Sequence, residues 1–455
     1  MGPYGRGVVM VALAAGVLGA APAWAGGQSV EERLRQLEFR LEEQERKLQE
    51  QMDQIKAQRE QIQSQREELA KTEPAKGAPS DFKVFWKDGA RLETNDGDFK
   101  LKLGGRIHND WVGVSPDGDV EAAVGDVDSG VEFRRARMYL EGSLYERYEF
   151  KMQYDFAGGD ADFKDVYVGM TKIPFVGGVR VGQFKEPFSL EELTSSNYIT
   201  FLERALPNEI VPARSTGLQL ANAVLDERMT WAAGVFRDSD DFGDRVGDGE
   251  FNFTGRLTGL PWFADDHHLV HLGGAYSFRN PNDGEARFRA RPEIHTAPRF
   301  IDTAAIPADD LHLVGAEAAF VYGPGSLQAE WVHANVNADA SANPAFDGWY
   351  VYGSWFLTGD HRVYKPSAGA FDKVKPAHPF LWGDDPGMGA WEIAARYSQL
   401  DLDDAGIDGG KLGDVTVGLN WYLNTNFRLM ANYIFADLDD VGDTHGFTMR
   451  FAFFM

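Results

Sequence analysis

Basic residues recur in segments where every second residue is apolar. In an extended strand successive side chains point to opposite faces, so the basic residues share the face opposite the apolar ones. Cationic side chains around a narrow aqueous path attract anions and repel cations, arginine through its planar fork and lysine as a point charge. A water-filled interior of mixed charge would show the same alternation without selectivity. The candidates are Arg135, Arg137, Lys151, Arg180, Lys185, Arg256, Arg396, Arg428 and Arg450.

The stretch 179–212 interrupts this alternation. It opens as a short strand and leaves strand geometry by Pro187, because proline cannot donate to a ladder. Ser189, followed three residues later by Glu192, has the pattern of a helical capping box. A connection this long and this aromatic is typical of an ordered, functional loop. We predict an insertion folded into a hollow structure.

The elements that must position these residues are strands. The 455 residues include 50 Gly, 31 Phe, 15 Tyr and 11 Trp, a composition that favours a β-barrel over a large soluble core. About sixteen segments alternate with period two, each close to the ten residues that a tilted membrane strand needs. A soluble β-sandwich would have no place for so many apolar faces. The sequence therefore predicts an all-β fold, a 16-stranded antiparallel transmembrane β-barrel. Its strands are expected near 99–113, 131–143, 147–157, 163–171, 178–184, 215–224, 228–237, 250–260, 267–279, 311–322, 326–336, 346–358, 389–400, 413–423, 427–437 and 444–455.

The connections between these segments differ in length. Tyr145-Glu146 and Asn424-Thr425-Asn426 read as short turns, whereas four connections are long and acidic. Short turns on one side and long loops on the other are the pattern of outer-membrane barrels. We therefore expect all four long connections at the same end of the barrel. They are Ser115 to Ser129, Asp238 to Asp248, Asn280 to Asp310 and Thr358 to Met388.

The C-terminal segment carries apolar residues at every second position out to its last residue. Outer-membrane barrels resemble this pattern and generally end in phenylalanine, whereas this chain ends in methionine. The pattern favours a membrane-facing last strand. The alternating residues are Phe447, Met449, Phe451, Phe453 and Met455.

The N-terminal 25 residues have the organisation of a secretory signal peptide. Arg6 supplies the charged region, residues 8–21 the apolar core, and Ala23-Trp24-Ala25 the cleavage pattern. An uncleaved membrane anchor is the alternative, although the apolar run is short for a span. We expect residues 73–80 to form a linker and residues 81–455 to form the barrel.

Residues 28–72 contain no Gly or Pro and repeat every seven positions. This pattern predicts a coiled coil, which would lie in the periplasm, with a lone solvated helix as the alternative. Glutamines at d often fix the oligomeric state, which favours an assembly of more than two helices. The a positions are Leu34, Leu41, Leu48, Ile55, Ile62 and Leu69, and the d positions are Val30, Leu37, Gln44, Gln51, Gln58 and Gln65.

Several classes of function find no support in the sequence. A formal charge of -25 discourages nucleic-acid binding, and the absence of cysteine excludes disulfides and thiolate metal sites. No hydrolase, phosphate-loop or dinucleotide motif is present, so we expect neither an enzyme nor a cofactor. His267, His268 and His271 lie on a predicted strand, where successive side chains diverge, so we expect no metal site.

The chain resembles the phosphate-selective porin O and P family. This resemblance implies a trimeric sixteen-stranded barrel in the bacterial outer membrane, whose third long loop folds inward and narrows the pore. It also implies passive conduction of small anions, phosphate or polyphosphate included, over inward-facing arginines and lysines. The matching segments are EFRRARMYLEGSLYERYEFKMQYDF (132–156), VGQFKEPFSLEELTSS (181–196), GWYVYGSWFLTGD (348–360), WEIAARYS (391–398) and VTVGLNWYLNTNFRLMANY (415–433).

The acid excess leaves two other functions open. Acidic clusters at 238–244, 400–410 and 437–443 would repel phosphate or bind divalent ions that bridge outer-membrane lipid, as in a general or cation-leaning porin. Alternatively, the coiled coil makes the chain a structural tether between the outer membrane and the cell wall.

Overall fold

The computed structural model describes residues 30–71, 82–246, 251–338, 342–383 and 385–455. The chain divides into two units, Met1–Pro79 and Ser80–Met455. The predicted signal peptide, residues 1–25, and the predicted linker, residues 73–80, lie outside the described residues.

The first unit contains one continuous helix, α1, at Val30–Lys71. Four of the predicted a positions, Leu41, Leu48, Ile55 and Ile62, have side chains that are 49% to 62% exposed. No helix among the described residues is long and apolar enough to span a membrane.

The second unit is a closed antiparallel barrel of sixteen strands, which confirms the predicted fold. Closure comes from pairing of the last strand with the first, for example Arg450 opposite Asp110. Each strand pairs with its sequence neighbour. The strands are β1 Phe99–Pro116, β2 Gly130–Leu144, β3 Tyr148–Asp155, β4 Asp162–Ile173, β5 Gly177–Lys185, β6 Arg214–Val224, β7 Met229–Arg237, β8 Asn252–Asp265, β9 His268–Arg279, β10 Ile306–Tyr322, β11 Gly325–Ala338, β12 Ala345–Phe356, β13 Ala390–Asp404, β14 Ile407–Tyr422, β15 Phe427–Leu438 and β16 Gly442–Phe454.

Smaller elements are not part of the barrel wall. The hairpin Phe82–Trp86 and Ala90–Thr94 continues the sheet beside the start of β1. The others are α2 Gly118–Val124, α3 Leu190–Leu193, the 3₁₀ helices Leu206–Ile210, Asn282–Gly284 and Pro366–Ala368, and the short strands Glu285–Ala286, Arg289–Ala290, Ile301–Asp302, Val363–Lys365 and Ala370–Asp372.

The last strand shows how alternation sets the two faces of the wall. Phe447 and Phe451 are about half exposed on the outer face, whereas Thr448 and Arg450 are buried on the inner face. Apolar groups outside and polar groups inside are the arrangement of a transmembrane barrel. The last strand thus has the outward apolar face that its alternating sequence predicts.

The two ends of the barrel carry different connections. At the turn end, even-numbered strands lead into short turns such as 145–147 and 423–426. At the loop end lie the long connections 117–129, 186–213 and 280–305. The connection after β7, which begins at Asp238, also lies at the loop end, and part of it is outside the described residues.

The predicted position of the connection Thr358 to Met388 is wrong. It leaves β12 at Phe356, whose backbone N donates to Pro324 O in the short β10–β11 turn at 3.0 Å. The connection therefore starts from the turn end, opposite the other long loops. We call residues 357–389 the turn-end segment.

Two loop-end segments, 186–213 and 280–305, fold into the barrel and pack on its inner wall. Phe188 and Ile294, one from each, are almost fully buried in one apolar cluster with inward residues of the strands. Glycines on the wall make room: a Cβ on Gly446 would lie 2.3 Å from the Ile294 side chain, and one on Gly315 would lie 2.8 Å from Phe188. Burial of each such side chain contributes roughly 1.5–3 kcal/mol.

Candidate channel and its constriction

Residues 186–213, here called the constriction loop, form the long connection between β5 and β6. Ser189 caps α3 as predicted, with its Oγ accepting from the backbone N of Glu192 at 3.1 Å. The Glu192 carboxylate binds Lys185 and Arg204 instead of completing the capping box. Glu330 on β11 accepts from the first backbone N–H groups of α3, at 2.9 and 2.7 Å. The loop is thus ordered by wall contacts as well as by its own cap.

Two predicted arginines face inward but are covered by the constriction loop. Arg428 on β15 donates to Ile199 O at 2.7 Å and to Thr200 O at 2.9 Å. Arg450 on β16 donates to Leu202 O at 2.6 Å and pairs with Asp110 at 2.6 Å. Both side chains are fully buried. The structure thus places them where they hold the loop, not where they meet an open path.

Arg396 on β13 joins two loops to the wall. It donates to Glu191 Oε1 at 3.1 Å and to Glu203 O at 2.9 Å, both in the constriction loop. Its Nε donates to Glu293 Oε2 in the loop 280–305 at 3.2 Å. Its side chain is also fully buried and lies over the ring of Phe201 at 4.3 Å.

Glu203 is the acidic centre of the loop's attachment to β2 and β16. It pairs with Arg134 at 3.0 Å and Arg450 at 2.7 Å, and lies 3.9 Å from Arg135. Burial alone would raise the pKa of Glu203, but the charges of Arg134, Arg135 and Arg450 hold it well below its usual range. The carboxylate therefore stays ionised at neutral pH.

Replacement of Arg396 by methionine is expected to loosen both loops and to raise single-channel conductance by at least about a third. It leaves Glu191 and Glu293 buried without their cation, which costs about 3–5 kcal/mol. The matched control is Arg137→Met, which breaks a pair with Asp155 between β2 and β3 and touches neither loop. Equal conductance of the two variants in planar bilayers would contradict this assignment.

A cavity of about 830 Å³ lies along β3 to β8. Four predicted residues line it. Lys151 pairs with Asp165 at 3.1 Å, and Arg256 pairs with Glu317 at 2.6 Å. The other two are Arg180, which pairs with Glu149 at 2.7 Å, and Lys185, which pairs with Glu192 at 3.0 Å. These four residues are brought together, whereas Arg135, Arg137, Arg396, Arg428 and Arg450 lie outside this lining.

A second cavity of about 190 Å³ lies on the loop-end side and is lined partly by Arg134, Glu203 and Arg204. Glu192 bridges Lys185 of the first cavity and Arg204 of the second. Burial alone would raise the pKa of Glu192, but Arg204 and Lys185 lower it to about 2. The three side chains form a charged partition between the cavities.

Several basic residues of the two cavities are not among the candidates that strand alternation predicts. Arg134 reaches the interior beside Arg135 because a bulge in the β1–β2 pairing skips it. Arg204 lies in the constriction loop, where strand alternation assigns no face. Lys365 enters from the turn-end segment and lines the larger cavity. Only Arg204, in an aromatic and ordered loop, had a signal in the sequence.

The predicted divergence of the His267 and His268 side chains is wrong. His267 lies in the turn between β8 and β9, so strand alternation does not separate its ring from that of His268. The two ring centroids are 4.5 Å apart. His271 is inside the barrel and binds Tyr364 Oη and Glu317.

Comparisons with known proteins agree with this architecture. The model of the family Phosphate-selective porin O and P matches residues 101–454. Porin O of Pseudomonas aeruginosa is 28% identical over 422 residues, covering 83% of this chain and 92% of Porin O.

Two solved structures share the fold. The anion-selective porin from Comamonas acidovorans aligns with a TM-score of 0.50 and 13% identity over 78% of this chain and 100% of that one. OmpT of Vibrio cholerae, in its trimer form, aligns with a TM-score of 0.50 and 11% identity over 78% and 99%. With a family match over most of its length and a porin barrel, the chain belongs to the phosphate-selective porin O and P family of outer-membrane channels.

Proposed function

We propose that the barrel conducts small anions, phosphate among them, by passive diffusion through the outer membrane. The observation that carries this proposal is the charge of the cavity linings. The chain as a whole has a formal charge of -25, yet the 830 Å³ cavity has more basic than acidic residues. The basic residues are Lys151, Lys172, Arg180, Lys185, Arg256 and Lys365, and the acidic residues are Glu149, Asp165 and Glu227.

The lining of the smaller cavity also has more basic than acidic residues. Its lining contains Arg134, Arg204, Arg291 and Arg299 against Glu203, Glu209 and Glu293. A third cavity, at the turn end beside the hairpin, is balanced between three basic and three acidic residues. Low-dielectric walls strengthen the local electric field. Charges of the cavity linings therefore interact more strongly with a permeating ion than distant surface charges do.

The test is the reversal potential of the full-length protein in planar bilayers across a potassium chloride gradient. We expect the sign of a chloride-permeable channel. A second measurement with phosphate as the only anion tests whether phosphate itself carries current. A reversal potential of the opposite sign would support a general or cation-leaning porin and overturn the proposal.

We further propose that the protein is a homotrimer and that α1 forms a periplasmic coiled coil. OmpT in its trimer form shares the fold, and Leu41, Leu48, Ile55 and Ile62, the four a positions whose side chains are described, are exposed in the single chain. Apolar side chains at seven-residue spacing gain stability when facing helices cover them. Contact of this coiled coil with the cell wall, and of the acidic loops with outer-membrane lipid through divalent ions, completes the proposal.

Replacement of Leu41 and Leu48 by aspartate is expected to abolish self-association of a peptide spanning residues 28–72. Two charges on each helix would then face a shared apolar seam. The matched control changes Glu42 and Gln49 to aspartate, at the same spacing but off the seam. Circular dichroism and sedimentation measure the outcome, and a wild-type peptide that is monomeric at high concentration would contradict the coiled coil.

A further inference from the structure

The turn between β8 and β9 gathers histidines and aspartates in a way that the channel does not use. Asp265 ends β8, Asp266 and His267 form the turn, and His268 begins β9. His361 approaches from the turn-end segment, with its ring centroid 4.2 Å from that of His267. Among the described residues, only two sets of three side chains bring metal-ligating atoms within 4.8 Å of one another. They are Asp265, His267 and His268, and Asp266, His267 and His361.

Backbone contacts fix both sides of this cluster. The N–H of His267 donates to Asp265 Oδ1 at 3.1 Å, and its C=O accepts from Gly323 N at 2.9 Å. The N–H of Tyr364 donates to Asp266 O at 3.2 Å, which holds the turn-end segment against the turn. His361 is therefore placed next to the turn by the fold.

We propose that Asp266, His267 and His361 bind a divalent transition-metal ion, with Zn²⁺ as the best fit. Two imidazoles and one carboxylate, with water in the fourth position, form a common zinc ligand set. Tetrahedral ligands at about 2.1 Å from zinc lie about 3.4 Å apart, so the cluster needs a contraction of at most about 1.4 Å. Half-exposed side chains at a turn can make this change by rotation.

In the proposed set Asp266 Oδ1 also contacts His267 Nδ1, at 3.0 Å, whereas in the second set a single imidazole contacts both oxygens of its carboxylate, which makes that set less suited to the ion. His268 Nδ1 contacts both oxygens of Asp265, at 3.0 and 3.1 Å. Asp265 Oδ1 also lies 3.3 Å from His267 Nδ1, where it can accept the ring N–H and orient the imidazole as a ligand. Asp265 is therefore assigned as a positioning residue.

The ion would connect the barrel wall to the turn-end segment. This segment contacts the larger cavity, since Gly369 O accepts from Arg256 at 2.8 Å. A zinc ion on His361 would restrict the segment's motion at its base. Metal binding would therefore affect the position of the turn-end segment beside Arg256 in the larger cavity.

Calorimetric titration of the full-length protein with Zn²⁺, in detergent and without a polyhistidine tag, tests the proposal. We expect one ion per chain, and His361→Ala should weaken binding by at least about tenfold. His268→Ala is expected to change affinity by no more than about threefold. The matched control is His333→Ala, which removes a histidine paired with a single aspartate, Asp347, and should leave zinc binding unchanged.

Absence of zinc binding to the wild-type protein, or equal loss in His361→Ala and His333→Ala, would overturn the site. Loss in His268→Ala with binding retained in His361→Ala would assign the ion to the other set and overturn the proposed ligands. Heat-modifiable electrophoretic mobility verifies that each variant is a folded barrel. Anion selectivity is measured without zinc, so failure of the metal site leaves the proposed channel function intact.

Discussion

Deletion of Ser189 to Leu202 is expected to raise both single-channel conductance and preference for anions. The deleted residues occupy the interior and cover Arg396, Arg428 and Arg450, whose side chains are fully buried in the intact protein. Their loss widens the path and exposes these guanidinium groups to permeating ions. We expect conductance to rise by about twofold or more, since passage through a pore depends on its narrowest part.

The shortened loop can still close because its ends are adjacent. Lys185 and Arg214, the last and first residues of β5 and β6, are register partners. A loop of any length above a tight turn can therefore join them, and barrel closure between β1 and β16 is not involved. The barrel is expected to fold in the deletion variant.

A second variant distinguishes the effect of a wider path from the effect of the exposed arginine charges. Changing Arg428 and Arg450 to methionine within the deletion should keep the higher conductance and reverse the gain in anion preference. Conductance equal to that of the intact protein, in a barrel with normal heat-modifiable mobility, would contradict the position of the constriction loop. A conductance gain without any change in reversal potential would contradict the exposure of the arginines.

Strand periodicity predicted most of the barrel because the residues of each strand alternate between apolar side chains for the outer face and polar side chains for the inner face. In β16 the outward Phe447 and Phe451 and the inward Arg450 follow directly from alternation. Alternation gives the face of a residue but not what covers that face. Arg428 is covered by Ile199 and Thr200, which are more than two hundred positions away in the sequence. A local sequence pattern cannot predict a contact over that separation.

Two other errors arise from the pairing and the order of the strands. The bulge leaves Arg134 without a partner in the β1 register, so Arg134 and Arg135 both reach the interior although they are adjacent in sequence. The turn-end segment was predictable by counting: it follows the twelfth strand, and every even-numbered strand ends at the turn end. Loop length alone groups it with the other long connections, so strand order is the stronger signal.

Reversal of charge at Lys185 or Lys365 is expected to shift the reversal potential toward cations far more than neutralisation of Asp240 and Asp241 together. Both lysines line the 830 Å³ cavity, where low-dielectric walls strengthen their action on a permeating ion. Asp240 is an exposed loop residue, and its pKa is lowered by hydrogen bonds from the backbone N–H groups of Asp244 and Phe242. Its charge faces bulk solvent, where salt screens it over about 8 Å at physiological ionic strength.

Lys365→Glu is the sharper of the two lysine variants. Lys185 pairs with Glu192, so its reversal also places two carboxylates together and disturbs the constriction loop. Lys365 is exposed in a short strand of the turn-end segment and has no ion pair among the described residues, so its reversal changes the charge of the lining with little structural cost. Bilayer measurements in a chloride gradient compare it with the Asp240→Asn, Asp241→Asn double variant. A larger shift from the aspartates than from Lys365 would mean that the outer loops, and not the cavity lining, set the selectivity of this porin.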